Sequence, residues 1–172
     1  MIAFIKDLLI EGVRIQLRIL TEDMVTEKYV SWLNDPEVTK YLETKSATIE
    51  GLKKFVHEKY ISDSCLFFGI FVKNSNEHIG NVKLEPIDFN KKTAVLGTLI
   101  GDKNYWGKGI ASEVYRYLSR YCFEELKLET ISAGIYNDAI GAIKAVQNVG
   151  FKITERHPKH VVVTLTKQDF KF

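Results

Sequence analysis

The chain has 172 residues, of which 45% are hydrophobic and 27% are charged. This composition supports a packed core rather than global disorder, and the length predicts a single domain, 1–172. A net charge of +2, from 24 basic and 22 acidic residues, argues against a nucleic-acid partner, because such proteins usually carry a concentrated basic face. No run approaches the roughly 20 apolar residues of a membrane span, so we expect no membrane partner and a cytoplasmic location.

The first third of the chain predicts one strand followed by helices. Residues 13–19 alternate between apolar and polar side chains, which is typical of a strand with one buried face. Thr21 is a candidate N-cap for a first helix, and Asp35 with Pro36 suits the start of a short second one. Thr48 is the candidate N-cap of a longer amphipathic helix.

The middle of the chain predicts an antiparallel meander of three strands. The runs 65–73, 78–87 and 93–101 are rich in apolar and β-branched residues. They are separated by NSNE and DFNKK, whose composition favours turns.

The last third alternates between helical and strand patterns. We predict a helix over 109–126, a strand over 130–136 and a helix over 139–149, with Gly150 at its C-terminal cap. The segments FKITER and VVVTLTK then close the chain as strands. This order of elements indicates one α+β, or mixed α/β, domain.

The turn YWGKGIASE, between the third meander strand and the next helix, carries the strongest functional signal. A helix start presents unpaired N–H groups and the positive end of the helix dipole, and glycines remove side chains that would block an anion. The turn is therefore a candidate pyrophosphate site, with Lys108 as an added positive charge. Two other nucleotide motifs fit poorly, because Gly109 follows Lys108 where a P-loop needs Ser or Thr, and Ser112 stands where a dinucleotide fingerprint needs glycine.

The segment WGKGIA resembles the R/Q-x-x-G-x-G/A signature of the GNAT family of N-acetyltransferases, in which main-chain amides hold the pyrophosphate of acetyl-coenzyme A (acetyl-CoA). Gly109 matches the central glycine and Ala111 the last position, while Trp106 stands where Arg or Gln is usual. The order of elements and the segment AIKAVQNVGF resemble the family over nearly the whole chain. YWGKGIASE resembles the branch that contains ribosomal-protein N-terminal acetyltransferases and their small-molecule relatives, including those that modify amino sugars.

The resemblance implies a fold, a reaction and a cosubstrate. The fold is a mostly antiparallel twisted sheet with splayed middle strands and about four flanking helices. The reaction is direct attack of a primary amine on the thioester of acetyl-CoA in a ternary complex, with no metal.

The resemblance also implies which residues bind acetyl-CoA. Pantetheine would pair with the strand before the glycine turn, with an amide near Leu99 facing the thioester carbonyl. For Asn137 a helix cap is an equal alternative, and for Lys144 a solvated helix face. The implied set is Leu99, Ile100, Gly101, Trp106, Gly107, Lys108, Gly109, Ile110, Ala111, Asn137 and Lys144.

The catalytic side chains of the family are not matched in this sequence. The glutamate and the tyrosine that many relatives use fall at Val95 and Val146. Glu85, at the end of the middle meander strand, is the candidate base or acceptor ligand, with a solvated carboxylate as the alternative.

The acceptor pocket is expected near Trp32, Asn34 and Asp35, with core packing and helix capping as alternatives for Trp32 and Asp35. An aminoglycoside-like acceptor would favour an acidic pocket, and the candidate acids are Asp35, Glu37, Glu43, Glu85 and Asp88. We expect a small-molecule amine or amino sugar as the acceptor. A protein N-terminal amine and a non-catalytic acyl-CoA-binding module stay open as alternatives.

Two further expectations concern assembly and thiols. Relatives often dimerise through the final strands, so HVVVTLT could pair with a second copy, although a place in the monomer's own sheet explains it as well. Cys65 and Cys122 lie in apolar runs without metal-ligand spacing, which favours reduced thiols in the core. His57 and His78 are isolated and are expected at the surface.

Overall fold

The strands and helices of a computed structural model, which describes residues 7–172, follow the predicted order. The first six residues of the predicted domain lie outside the described part. The elements are β1 Leu9–Glu11, β2 Ile15–Ile19, α1 Glu27–Leu33, α2 Ile49–Tyr60, β3 Leu66–Val72, β4 His78–Asp88, β5 Thr93–Ile100, α3 Ile110–Glu124, β6 Thr130–Tyr136, α4 Ile140–Gln147, β7 Lys152–Arg156 and β8 His160–Thr166.

The strands form one mixed sheet in the order β1-β2-β3-β4-β5-β6-β8-β7. All neighbours are antiparallel except β5 and β6, which are parallel and pair only from Thr93 with Thr130 to Val95 with Ser132. Beyond Val95 the two strands separate, while β5 stays paired with β4 up to Ile100. The mixed α/β fold and its splayed middle strands are therefore confirmed, and the split between β5 and β6 exposes main-chain groups in the middle of the sheet.

The start of the sheet differs from the sequence prediction. In β2, Ile15 and Leu17 are fully buried and Ile19 is nearly so, as the alternating pattern predicts. Val13 was placed on the same buried face but is 75% exposed, because it lies in the turn that joins β1 to β2. β1 was missed because three residues are too short a run to show a period.

The helix starts are partly as predicted. The Thr48 hydroxyl accepts the Gly51 N–H and caps α2 as expected. The cap of α1 is Thr26 rather than Thr21, because the chain first makes one turn of 3-10 helix over Glu22–Met24. This extra turn moves the α-helix start five residues along the chain.

No helix begins at Asp35. Its carboxylate accepts the Glu37 N–H and its carbonyl accepts the Thr39 N–H, but this single turn does not continue into a helix. Starting a helix fixes several residues for one hydrogen bond, so an isolated turn without a long apolar face does not propagate. The segment from Pro36 to Ala47 is therefore a loop with local turns.

β8 lies inside the sheet, between β6 and β7, with hydrogen-bonded neighbours on both sides. Its apolar residues are thus explained by the monomer's own sheet, and β8 has no free edge for pairing with a second copy. No helix in residues 7–172 is long and apolar enough to cross a membrane.

The two thiols are buried and one histidine is partly buried. Cys65 and Cys122 are free and buried, as predicted. His57 is exposed and its Nδ1 lies 2.6 Å from the Glu22 carboxylate. His78, expected at the surface, is instead enclosed by aromatic rings and stacks on Phe71 at 4.8 Å between centroids. An isolated histidine gives no periodic signal of burial, so the sequence could not reveal this position.

Candidate active site

The glycine turn leaves the start of α3 open to an anion. Gly109 is the N-cap with a left-handed φ of 74°, and Gly107 has a φ of 68°. No side chain caps the helix, so its first N–H groups lack an intrahelical or side-chain partner. A Cβ added at Gly107 would meet no atom within 4 Å, so that side of the turn is open. This geometry fits a pyrophosphate, which the free amides and the helix dipole would bind.

Arg14, from the turn between β1 and β2, holds this site together. Its main-chain N–H and its Nε each lie 2.7 Å from a carboxylate oxygen of Glu113, in the first turn of α3. Its Nη1 donates to the Lys108 carbonyl at 2.8 Å. Arg14 thereby offsets a negative charge beside the anion site and keeps one carbonyl oxygen of the turn occupied. No local pattern could predict this contact, because Arg14 and Glu113 are 99 residues apart.

Loss of the Arg14 side chain is predicted to weaken acetyl-CoA binding. We expect Arg14→Met to raise the KM for acetyl-CoA about tenfold, since a charge-assisted hydrogen bond contributes about 1.5–3 kcal/mol and Glu113 would be left unpaired. The measurement is initial rate against acetyl-CoA concentration. In R14M/E113Q the unpaired negative charge of Glu113 is also removed, so we expect part of the affinity for acetyl-CoA to return.

The matched control for this prediction is Arg116→Met. Arg116 lies on the same helix, but its guanidinium donates to the Lys171 and Asn148 carbonyls, away from the glycine turn. R116M is expected to leave the KM unchanged. An unchanged KM in R14M as well would contradict the role given to Arg14.

The main-chain N–H and carbonyl groups at the end of β5 do not point in the directions that the resemblance implies. The Gly101 N–H donates to the Ile79 carbonyl beside β4. Main-chain direction alternates along a strand, so Leu99 and Gly101 face β4, and Thr98 and Ile100 face the split. The Ile100 carbonyl already accepts the Trp106 indole N–H at 2.7 Å. The main-chain groups that stay open to the split therefore include those of Thr98, whereas the amide of Leu99 faces β4.

Asn137 and Lys144 lie at the far side of the split. The Asn137 side chain donates to the carbonyls of His157 and Pro158, so it ties the end of β6 to the turn between β7 and β8. It does not cap α4, whose N-cap is Ala139 without a side-chain bond. Lys144 is an exposed residue of α4.

A cavity of about 740 Å³ lies on the face of the sheet beneath α1 and α2. Its β5 wall runs from Gly97 to Leu99, and a Cβ added at Gly97 would meet no atom within 4 Å. The lining is mostly apolar and aromatic, with a few polar groups. It comprises Tyr29, Leu33, Tyr41, Leu42, Glu43, Thr44, Ser46, Ala47, Thr48, Gly51, Leu52, Phe55, Phe67, Asn81, Lys83, Gly97, Thr98 and Leu99.

The loop over residues 36–47 closes this cavity on the side of the split. The Tyr41 hydroxyl donates to the Asp138 carbonyl, and its ring lies 5.7 Å from the Tyr136 ring. Asp138 and Tyr136 lie at the end of β6, so Tyr41 bridges from the cavity to the strand on the far side of the split. The cavity and the split strand are thus neighbours, as a two-substrate site requires.

The three residues predicted for the acceptor shape the cavity without lining it. Trp32 is buried and packs against the space above Gly101, where an added Cβ would lie 2.1 Å from its ring. The Asn34 side chain binds both the N–H and the carbonyl of Ala47. Asp35 is paired with Lys103 at 2.7 Å. The alternative of Trp32 as a core residue matches the geometry, whereas Asp35 caps no helix and its carboxylate accepts the Glu37 N–H in a single turn.

Glu85 lies outside the cavity lining, in contact with two lysines. Its carboxylate oxygens are 2.7 Å from Lys59 and 2.7 Å from Lys83. Partial burial raises the pKa of Glu85, but the hydrogen bonds from both lysines outweigh it and hold the pKa below its ordinary value. A carboxylate of low pKa is a weak proton acceptor, which disfavours Glu85 as the general base.

The expected acidic pocket is absent from the described cavity wall. Of the five candidate acids only Glu43 lines the cavity. Asp35 and Glu37 bind Lys103, and Asp88 accepts the Lys91 N–H in a turn. The wall is therefore mostly apolar with little charge, because the other four carboxylates are bound in ion pairs or turns outside the cavity. Residues 7–172 hold no group of three His, Cys, Asp or Glu side chains arranged for a metal.

Neither position of the family's usual acid and base supplies a proton donor or acceptor. Val146 is fully buried in the core, and Val95 is a partly exposed aliphatic residue of β5. The described site therefore consists of an anion-binding helix start, a split strand and an adjacent cavity. Such an arrangement suits a transferase that holds a long phosphate-bearing donor and a second substrate side by side.

Comparison with known proteins agrees with this class. A family model described as an acetyltransferase (GNAT) domain matches residues 14–152. The chain is 31% identical to an uncharacterised N-acetyltransferase, p20, of Bacillus licheniformis over 69% of this chain and 68% of that protein. It is 25% identical to the acetyltransferase PseH of Campylobacter jejuni over 84% of this chain and 88% of that protein.

Solved structures share the fold. A spermidine N-acetyltransferase from Vibrio cholerae, in complex with CoA and spermine, superposes with a TM-score of 0.81 at 17% identity, covering 91% of this chain and 97% of that one. The chain belongs to the GNAT family of acetyltransferases. It is an acetyl-CoA-dependent N-acetyltransferase, as the resemblance in the sequence implied.

Proposed function

We propose that the enzyme acetylates a primary amine of a small molecule or amino sugar. The observation that carries the proposal is the cavity of about 740 Å³ beside the split between β5 and β6. That volume lies in the ordinary range for small-ligand sites. Two distant relatives lend support: the acetyltransferase PseH, and the spermidine N-acetyltransferase whose structure contains CoA and spermine.

We assign the two substrates to separate parts of the site. The amides at the start of α3, with Lys108, bind the pyrophosphate of acetyl-CoA, which supplies an activated acetyl thioester. The free main chain of Thr98 orients the arm that reaches the split. The cavity wall, from Gly97 to Leu99, holds the amine against that strand and excludes water from it.

We propose that positioning supplies much of the rate. Holding two reactants in line can contribute about 7–11 kcal/mol in favourable cases. Glu85 is held by two lysines, and the usual acid and base positions are valines. An acceptor whose amine has a lowered pKa, or a water that relays its proton, fits a site without a dedicated carboxylate.

A screen of amines with a free-thiol readout tests the proposal. We expect thiol release with one or more small amines, and thermal stabilisation by CoA, since a ligand at about 100 times its Kd adds about 2.7 kcal/mol. Turnover of peptide N-termini alone would favour the protein N-terminal alternative. CoA binding without thiol release for any amine would favour the non-catalytic module, and no stabilisation by CoA would overturn both.

A further inference from the structure

A partly buried histidine orients an amide that lines the cavity. Asn81, on β4, is 4% exposed, and its Oδ1 lies 2.9 Å from His78 Nε2. The same Nε2 lies 2.9 Å from the Gly80 carbonyl oxygen. A carbonyl oxygen can only accept, so Nε2 must carry the proton, and it donates to both oxygens. The oxygen of the Asn81 amide is therefore turned toward His78.

The His78 ring has no room to turn. It stacks on Phe71 at 4.8 Å and meets Trp32 and Tyr29 edge-on at 5.0 and 5.4 Å between centroids. Burial lowers the pKa of the imidazole, with only partial compensation from the bonds to Asn81 and Gly80, so the ring stays neutral near pH 7. A fixed neutral ring with its proton on Nε2 holds the Asn81 amide in one orientation.

The amide nitrogen of Asn81 is left for a ligand. No described residue accepts a hydrogen bond from Nδ2. Among residues 7–172, Nδ2 is also not one of the fully buried side-chain polar atoms that lack a partner, so a ligand can reach it. Asn81 pairs with Leu99 in the ladder between β4 and β5. The donor therefore points into the cavity one strand away from β5, against which the amine must lie.

We propose that Asn81 hydrogen-bonds an oxygen of the acceptor, and that the acceptor is a primary amine with a hydroxyl or carbonyl oxygen on a neighbouring carbon. This inference rests on the proposed function of the same cavity. The Cα atoms of directly opposite residues on neighbouring strands are about 4.5–5.5 Å apart, so an amine held against β5 would lie only a few bonds from an oxygen bound by Asn81. An amine without that oxygen would leave a donor unpaired in a mostly apolar site, which binding penalises.

Matched pairs of acceptors test this specificity. The probes are 2-aminocyclohexanol against cyclohexylamine, ethanolamine against propylamine, and phenylalanine amide against phenethylamine, assayed by thiol release. We expect kcat/KM to favour the oxygen-bearing amine by about tenfold or more in at least one pair. Preference confined to the phenylalanine pair assigns the oxygen to an α-amino carbonyl, and preference in the first two pairs assigns it to an amino alcohol.

Substitution at Asn81 separates recognition from folding. Asn81→Asp keeps the size and the acceptor for His78 but removes both N–H donors, and Asn81→Leu removes the polar group. Both variants are expected to lower the acceptor ratio, which is kcat/KM for the oxygen-bearing amine divided by kcat/KM for its oxygen-free partner, to about one- to threefold. The KM for acetyl-CoA should be unchanged. His78→Phe frees the amide and lowers the ratio partway, and a thermal melt verifies that each variant is folded.

The outcomes distinguish this inference from the proposed function. Equal turnover of both members in every pair, or of the oxygen-free amines alone, overturns the inference and leaves the acetyltransferase assignment standing. An acceptor ratio that persists in both Asn81 variants overturns the role of Asn81. Where the wider amine screen finds turnover outside these pairs, an efficient acceptor without an oxygen near its amine also overturns the inference. No thiol release with any amine removes the proposed function itself.

Discussion

Gly109→Val is expected to lower kcat/KM for acetyl-CoA by about a hundredfold or more, and Gly109→Ala by about tenfold. The residue has a φ of 74°, a conformation that costs a non-glycine residue about 1–2 kcal/mol and a β-branched one more. Relaxing that strain rotates the amides that open α3, so the loss falls on the anion site. Initial rates at varied acetyl-CoA concentration measure it, with CoA binding measured separately by calorimetry.

Gly150→Ala provides the matched control for backbone strain. Gly150 also has a positive φ, 108°, but lies after α4, where an added Cβ would make ordinary contacts at 3.5 Å with Asp169 and Leu165. The control should lower the melting temperature and leave the KM for acetyl-CoA unchanged. If Gly109→Ala and Gly150→Ala changed only stability, the glycine turn would not bind the cosubstrate.

Filling the cavity at Gly97 is expected to abolish acceptor turnover while acetyl-CoA still binds. A side chain there would enter open space, since no atom lies within 4 Å of an added Cβ. The series Ala, Leu and Phe should lower kcat/KM for the acceptor in steps, with Phe giving about a hundredfold loss or more, because misplacement of about 1 Å alone can cost that much.

Gly97→Ala is the internal control of this series, since one methyl group removes little of the volume. CoA-induced thermal stabilisation should be the same in all three variants, because the Gly97 side faces the cavity and the glycine turn is a separate part of the site. Full activity in Gly97→Phe would show that the acceptor binds elsewhere.

Local patterns in the sequence were enough to predict the fold and the position of the glycine turn. Alternating and helical periods located the meander, α3 and α4, and the glycines marked the helix start at Ile110 because backbone conformation there is a local property. The valines at 95 and 146 likewise showed that the usual catalytic side chains are missing. These features need only a residue and its near neighbours.

The remaining features depend on contacts between distant parts of the chain. Arg14 meets Glu113 only because β2 lies alongside α3, and the Thr98 main chain faces the split only through the register of β4 with β5. His78 is enclosed by aromatic rings from two separate segments, α1 and β3. One sequence contains no signal for such pairs, so the acceptor wall could not be predicted residue by residue.

The bonds from Asn34 to Ala47 have a consequence for how this enzyme could be re-engineered. These two hydrogen bonds join residues that are 13 positions apart, so the Asn34 side chain holds together the two ends of the loop between them. That loop supplies Tyr41, Leu42, Glu43, Thr44 and Ser46 to the cavity and nothing to the glycine turn. Grafting another sequence between Asn34 and Ala47, with Asp35, Glu37 and Tyr41 kept for their bonds to Lys103 and Asp138, would therefore change the cavity wall and leave the glycine turn in place.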